Sequence, residues 1–160
     1  MSHAGLKVAK TFGHTLPAFS SRGEAEAQLF RERDERLSRV EDLAVRSGGM
    51  FTADFTPESL TGLEHWYFTL FQADAFGSLG VSREEFEPCM ATYFCEVAVR
   101  NASGAKWVVQ EYAFEPGKYE VGVRRGLISV MRSRFTDHYK VPNNKRQQKI
   151  YREYEQLFVT

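Results

Sequence analysis

The chain has few of the features that mark a chemistry at sight. Only two cysteines, Cys89 and Cys95, occur in 160 residues, too few for a disulfide framework. Their spacing is not that of a zinc knuckle, and the four histidines, His3, His14, His65 and His138, are scattered, so no metal site is expected. No Walker loop, G-x-G-x-x-G or G-x-S-x-G is present, which removes the usual phosphate, dinucleotide and hydrolase signatures. No cofactor is expected. No apolar run reaches the roughly eighteen residues that a membrane helix needs, and no basic-then-apolar leader opens the chain. These absences predict a non-membrane protein in a reducing, cytoplasmic setting. Internal repeats, low-complexity tracts and interdomain linkers are also missing. Acids and bases balance at 21 each, so net charge selects no partner.

What is present suits a globular protein. Hydrophobic residues make up 42% of the chain and aromatics 14%, enough to build a core at this length without staples. Residues 1–21 are small, polar and punctuated by Gly and Pro, with Phe12, Leu16 and Phe19 as anchors. They read as an N-terminal arm, either laid on the domain or disordered. Residues 22–160 read as a single domain.

The periodicity predicts an α+β fold. A helix opens at residues 20–24 and closes at residues 47–49, with a narrow stripe of Phe30, Leu37, Val40 and Ala44. Residues 50–55 read as a short β-like piece. Thr56 and Pro57 then start a helix carrying Leu60, Leu63, Tyr67, Leu70 and Phe71. Ser82-Arg83-Glu84-Glu85 is a capping box. Phe86, Met90, Tyr93, Phe94 and Val97 follow at helical spacing to about Arg100. From Ala105 the period becomes two, and strands are expected at residues 106–112, 119–123 and 127–131, turned by Glu115-Pro116-Gly117-Lys118 and by Gly126. A last helix is expected over residues 142–158, with Ile150, Tyr154, Leu157 and Phe158 on its apolar face. The architecture is helices packed on a small antiparallel meander, closed by a C-terminal helix.

Charge is distributed unevenly. Residues 23–80 hold eleven acids against five bases, and residues 121–152 hold nine bases against one acid, Asp137. The basic stretch, with Arg124, Arg125, Arg132 and Arg134 at its start, interleaves with Tyr139, Tyr151 and Tyr154. Cations for phosphates and flat rings for bases suit single-stranded nucleic acid. A solvated surface packed beside the acidic half explains the same pattern.

Cys95 and Glu96 pose the question of catalysis. At 100° per residue Cys95 falls opposite the face centred on Phe86, Tyr93 and Val97. It lies late in its helix, where the dipole disfavours a thiolate. It is expected to be a small residue permitting close helix or sheet contact. Glu96 stands four residues before Arg100 and is expected to pair with it, or else to line a groove. An enzyme built on Glu96 with His65 or Cys95 would need these groups around one cleft. His65-Trp66-Tyr67 reads as core, and His138-Tyr139-Lys140 as a polar loop with a solvated histidine.

Three segments carry a family likeness: Tyr93-Phe94-Cys95-Glu96-Val97, Gly104-Ala105-Lys106-Trp107, and Asp54-Phe55-Thr56-Pro57-Glu58-Ser59-Leu60. Together they resemble a group of small uncharacterised bacterial α+β domains, some associated with polymorphic toxin systems as candidate immunity proteins. Here Cys95 replaces a usual Gly. The resemblance implies a binding role and no catalytic residues. The expectation is a non-enzymatic protein-binding module, an immunity-type protein that neutralises a toxin; the alternative is nucleic-acid binding through residues 124–152. Trp107, Tyr112 and Tyr119 are the aromatic anchors of a partner surface if their strand face is open. Glu96, Arg124, Arg125, Arg132 and Arg134 are its charged members. The acidic helix surface over residues 31–42 is a further source of electrostatic complementarity.

Overall fold

Ser82 holds the chain extended and starts the central helix. Its Oγ accepts the Glu85 amide at 3.1 Å, while Glu85 Oε1 accepts the Ser82 amide at 3.1 Å, the reciprocal cap of Ser-x-x-Glu. A computed structural model describes residues 2–159. Their elements are α1 (His3–Gly13), α2 (Arg22–Val45), α3 (Ser59–Gln72), α4 (Arg83–Asn101), β1 (Lys106–Glu111), β2 (Tyr119–Arg125), β3 (Ile128–Met131) and α5 (Lys149–Phe158). The fold is α+β.

α4 sits at the centre, touching α2, α3, α5 and all three strands. It is therefore buried on nearly every side, and one apolar face was too narrow an expectation. Cys95 is fully buried, not turned away, and its Sγ donates to Val130 O at 3.4 Å. Ala91, Cys95 and Ala98 recur at i, i+4 and i+7 on that strip. Small side chains there let helix and sheet approach closely. Val97, Ala98 and Val99 lie in α4, not in a strand.

The sheet is antiparallel in the order β1-β2-β3. Trp107 faces Val123, Val109 faces Val121, and Val123 faces Val130. α2 lays Ala25 and Leu29 on Val109, Tyr119 and Val121. Gly122 is required by space: a Cβ there would stand 2.1 Å from Val130 O.

Three stretches depart from the periodicity. Residues 50–55 form no strand. They run over α3 as an irregular segment, with the Asp54 amide turned back onto Thr52 O at 2.9 Å and Phe55 at φ 59°, pinned by the Phe51 amide on Ser47 Oγ at 3.1 Å and by the Phe55 amide on Tyr93 Oη at 3.0 Å. α3 opens two residues later than Thr56-Pro57 predicts, although Thr56 Oγ1 does accept the Ser59 amide at 3.3 Å. The last helix begins at Lys149, not near residue 142. Arg146 folds back to donate to Val141 O at 2.8 Å and Tyr139 O at 3.0 Å, and Gln148 adopts φ 51°. A left-handed residue at that point ends any helix arriving from Pro142.

The N-terminal arm is laid on the domain. α1 packs Phe12 edge-on against Tyr112 at 5.5 Å, and Tyr112 Oη donates to Ala9 O at 3.0 Å. Leu16 is buried, and Ala18 bridges to Lys118 beside β2.

Candidate functional site

The phase of the β1–β2 ladder decides what β1 shows to solvent. The Tyr112 amide donates to Lys118 O at 2.7 Å. In an antiparallel pair the backbone groups of alternate residues point at the partner. The even residues of β1 therefore point theirs at β2, and Trp107, Val109 and Glu111 point theirs away. On β2 the odd residues turn to the other side. There Arg132 donates to Val121 O at 2.9 Å, Tyr119 to Pro17 O at 3.2 Å and Phe19 to Gly117 O at 2.9 Å. The arm and β3 thus cover that side. No backbone partner among the described residues meets the outward groups of β1. Beside this edge runs a groove of about 330 Å³, walled by Arg22, Glu26 and Phe30 of α2 and by residues 106–110 and Arg124.

The eight candidate residues do not form one surface. Trp107 is half-buried at the groove, with its Nε1 donating to Glu96 Oε1 at 3.4 Å and the Arg33 guanidinium 5.3 Å above its ring. Glu96 also lies 3.9 Å from Arg100, the expected helix-edge pair. Arg124 is exposed on the open face, donating to Gln110 Oε1 at 2.6 Å. These three share the β1 neighbourhood. Tyr112 is held by α1, and Tyr119 is buried against Phe19 at 6.0 Å, so neither is free to anchor a partner. Arg125 donates to Phe158 O at 2.7 Å. Arg132 is half-buried near Arg36, Glu32 and Glu120; burial first, and then Arg36, push its guanidinium pKa down. Arg134 lies 3.6 Å from Glu153.

The residues that sequence reasoning passed over are the buried acids. His138, expected to be solvated, is buried, and its Nε2 stands 2.6 Å from Glu64 Oε2. Glu64 Oε1 accepts the Ile150 amide at 3.1 Å, in the first turn of α5. The imidazole is boxed in by Tyr67, Phe68 and Phe135, with ring centroids 5.4–5.5 Å away. Next to it, Glu87 accepts from Tyr67 Oη at 2.7 Å, from Arg83 at 2.8 Å and from the Asp137 amide at 3.0 Å. Burial and the Glu87 carboxylate raise the Tyr67 phenol well above its usual range. Asp137 itself adopts φ 56°, a conformation that costs about 1 kcal/mol or more and persists only where neighbours over-determine it. A signal was available: Glu64 falls one position after Leu63 and three before Tyr67, on the apolar face of α3. An acid there must find a partner.

A carboxylate-oriented imidazole is a familiar catalytic part, but here it is enclosed: Glu64 is 2% exposed and His138 6%. The arrangement clamps residues 132–150 onto α3 and α4. Glu96, His65 and Cys95 do not meet at a cleft. His65 is exposed on α3, and burial pushes the Cys95 thiol up to about 12. Among the described residues no group of three His, Cys, Asp or Glu could hold a metal ion, and no helix is long and apolar enough to cross a membrane.

Fold and site together define a small α+β domain with a central buried helix and a three-stranded meander whose β1 edge takes no strand among the described residues. The chain belongs to the YwmA family: the family model described as "Uncharacterised protein YwmA" matches residues 18–158. A YwmA protein of Bacillus subtilis (strain 168), described as uncharacterized, is 30% identical over 125 residues, 78% of each chain. No solved structure matches. The family match begins beyond α1.

Proposed function

We propose that this YwmA-family protein is a non-enzymatic protein-binding module that accepts an extended segment as a fourth strand on the outer edge of β1. One observation carries the reading: Trp107, Val109 and Glu111 present unpaired backbone groups beside a groove that holds a half-buried tryptophan. Main-chain hydrogen bonds supply affinity in strand addition, and flanking pockets supply specificity. Trp107 is the anchor, with Arg124 and Glu26 as charged neighbours. The immunity role rests on the family resemblance alone; on it, the added strand belongs to a toxin.

Most cations of the basic stretch are engaged inside the chain. Arg125 and Arg146 cap carbonyls, Lys140 lies 3.3 Å from Asp137, and Lys149 lies 2.8 Å from Glu153. That favours protein over nucleic acid as the partner class.

The test is affinity capture from the native host with the wild-type chain and with Glu111→Pro, which removes one outward amide, and the carboxylate that accepts the Gly117 amide at 2.9 Å, but leaves the backbone bonds to β2 in place. A stoichiometric, nuclease-resistant protein lost in the variant is the expected result. Equal capture by both chains would refute strand addition. Co-purifying nucleic acid released by salt would favour the alternative.

A further inference from the structure

We propose that the strand added to β1 in the free protein is β1 of a second copy, giving a two-fold dimer with a continuous six-stranded sheet. This rests on the strand-addition reading of the same edge and names its occupant.

The edge is self-complementary. Its outward residues, Trp107, Val109 and Glu111, are symmetric about Val109. A two-fold axis through Val109 therefore pairs Val109 with its own copy and Trp107 with Glu111, in both directions. Every outward group meets an outward group, as an antiparallel ladder requires, and none is left over at either end. A register shifted by two residues leaves one outward residue of each strand unpaired. A closed two-fold interface of this kind uses the same patch twice, which suits a homodimer.

The side chains fit the same register. Trp107 and Glu111 lie on the helix-covered face. The axis brings Glu111 of the second copy beside Trp107, where the Arg33 guanidinium stands 5.3 Å from the ring. Among the described residues Arg33 has only the largely exposed Asp34 as its ion-pair partner, at 2.9 Å; Glu111 is exposed without an ion pair, its Oε2 accepting the Gly117 amide at 2.9 Å and its other oxygen left for Arg33 of the second copy. Opposite charges thus meet at both ends of the pairing. On the open face Val108 falls opposite Gln110, and Lys106 opposite Tyr112, so no like charges face one another. The strand also carries no proline, and its register with β2 runs unbroken from Lys106 to Glu111. Of the devices that keep a free edge from pairing it has neither a proline nor a bulge, and its two charges, Lys106 and Glu111, stand at its ends.

The experiment is sedimentation equilibrium of the full chain over a wide concentration range, with amide hydrogen exchange read at high and low concentration. Expected are a concentration-dependent doubling of mass and slowed exchange at Trp107, Val109 and Glu111 in the dimer alone. Glu111→Lys and Arg33→Glu should each weaken dimerisation about tenfold, because two symmetric cross-strand pairs are lost. The double variant should restore it. A monomer at every concentration overturns the second copy as occupant, and leaves strand addition to the Glu111→Pro capture. A dimer whose three outward amides still exchange fast, or which ignores both charge reversals, also overturns it, since the copies then meet elsewhere.

Discussion

β1 and the stretch from Arg132 to Gln148 differ in opposite senses. β1 is regular: six residues in unbroken register, one side paired throughout. Yet its outer backbone groups have no backbone partner among the described residues. The later stretch holds only two short 3₁₀ turns and two left-handed residues, Asp137 and Gln148. Yet it is tied down by two buried carboxylates, each taking two or more donors from it or from the helices beneath. Regular structure does not guarantee satisfied hydrogen bonding, and its absence does not imply freedom. Binding capacity lies where groups are left over; rigidity lies where they are used.

The contrast breaks first at Glu64. Glu64→Ala leaves the His138 ring and the Ile150 amide without their acceptor inside the protein. A loss of about 3–5 kcal/mol is expected, because a buried polar group left unpartnered costs its full desolvation. Glu64→Gln should cost less, since its amide oxygen still accepts. Urea midpoints of the two variants check this. A change below about 1 kcal/mol for the alanine variant would mean that the stretch is not clamped.

Neighbouring proline substitutions sharpen the reading of β1. Gln110→Pro removes an amide that points at β2, and an expected loss of about 2–3 kcal/mol follows from a broken ladder bond and its stranded acceptor. Glu111→Pro removes an outward amide and the exposed carboxylate bond to the Gly117 amide, and should cost about 1 kcal/mol, clearly less than Gln110→Pro. Equal losses would show that the phase of the ladder is wrong.

Much of this architecture was legible in the sequence. Ser82-x-x-Glu85, the alternation after Ala105 and the Pro-Gly turn are local codes, and local codes give local structure. The helix over residues 22–45 and all three strands fall within a residue or two of expectation. Residues 50–55 misled because β-like composition also suits an irregular segment packed on a helix with no strand beside it. Pro142 misled because a good helix start was overridden by Arg146 reaching back to two carbonyls. The site was less legible. Trp107 and Glu96 were found as types, but their meeting depends on how α4 crosses β1. The Glu64–His138 pair joins residues 74 positions apart. A helix pattern can show that Glu64 needs a partner, but not which one.

A smaller effect is expected at Tyr67. Its hydroxyl donates to Glu87, and Tyr67→Phe leaves that carboxylate its Arg83 and Asp137 partners. A loss of about 1.5 kcal/mol is expected for one hydrogen bond to a charged group. If it matches the Glu64→Ala loss, the two carboxylates act as one network and not as separate ties. The double variant, measured in the same denaturant series, reports that coupling directly.

The smallest effect lies at the rim of the clamp. The Arg83 guanidinium first, and then Lys140, hold the Asp137 carboxyl below its ordinary value. Its folded-state pKa is therefore lower than its unfolded one. The stabilisation is fully present above the unfolded value of about 4 and is lost as pH falls through the folded one. With its side chain 40% exposed, the contribution is screened and should shrink further in salt. Asp137→Asn removes the charge while keeping a residue that tolerates the left-handed backbone. Melting temperatures of the two chains should differ at neutral pH and converge as pH falls through the lowered folded-state value. If the two chains already melt alike at neutral pH, Asp137 acts through its backbone and the Glu87 bond alone, and the rim ion pairs contribute nothing to holding the stretch in place.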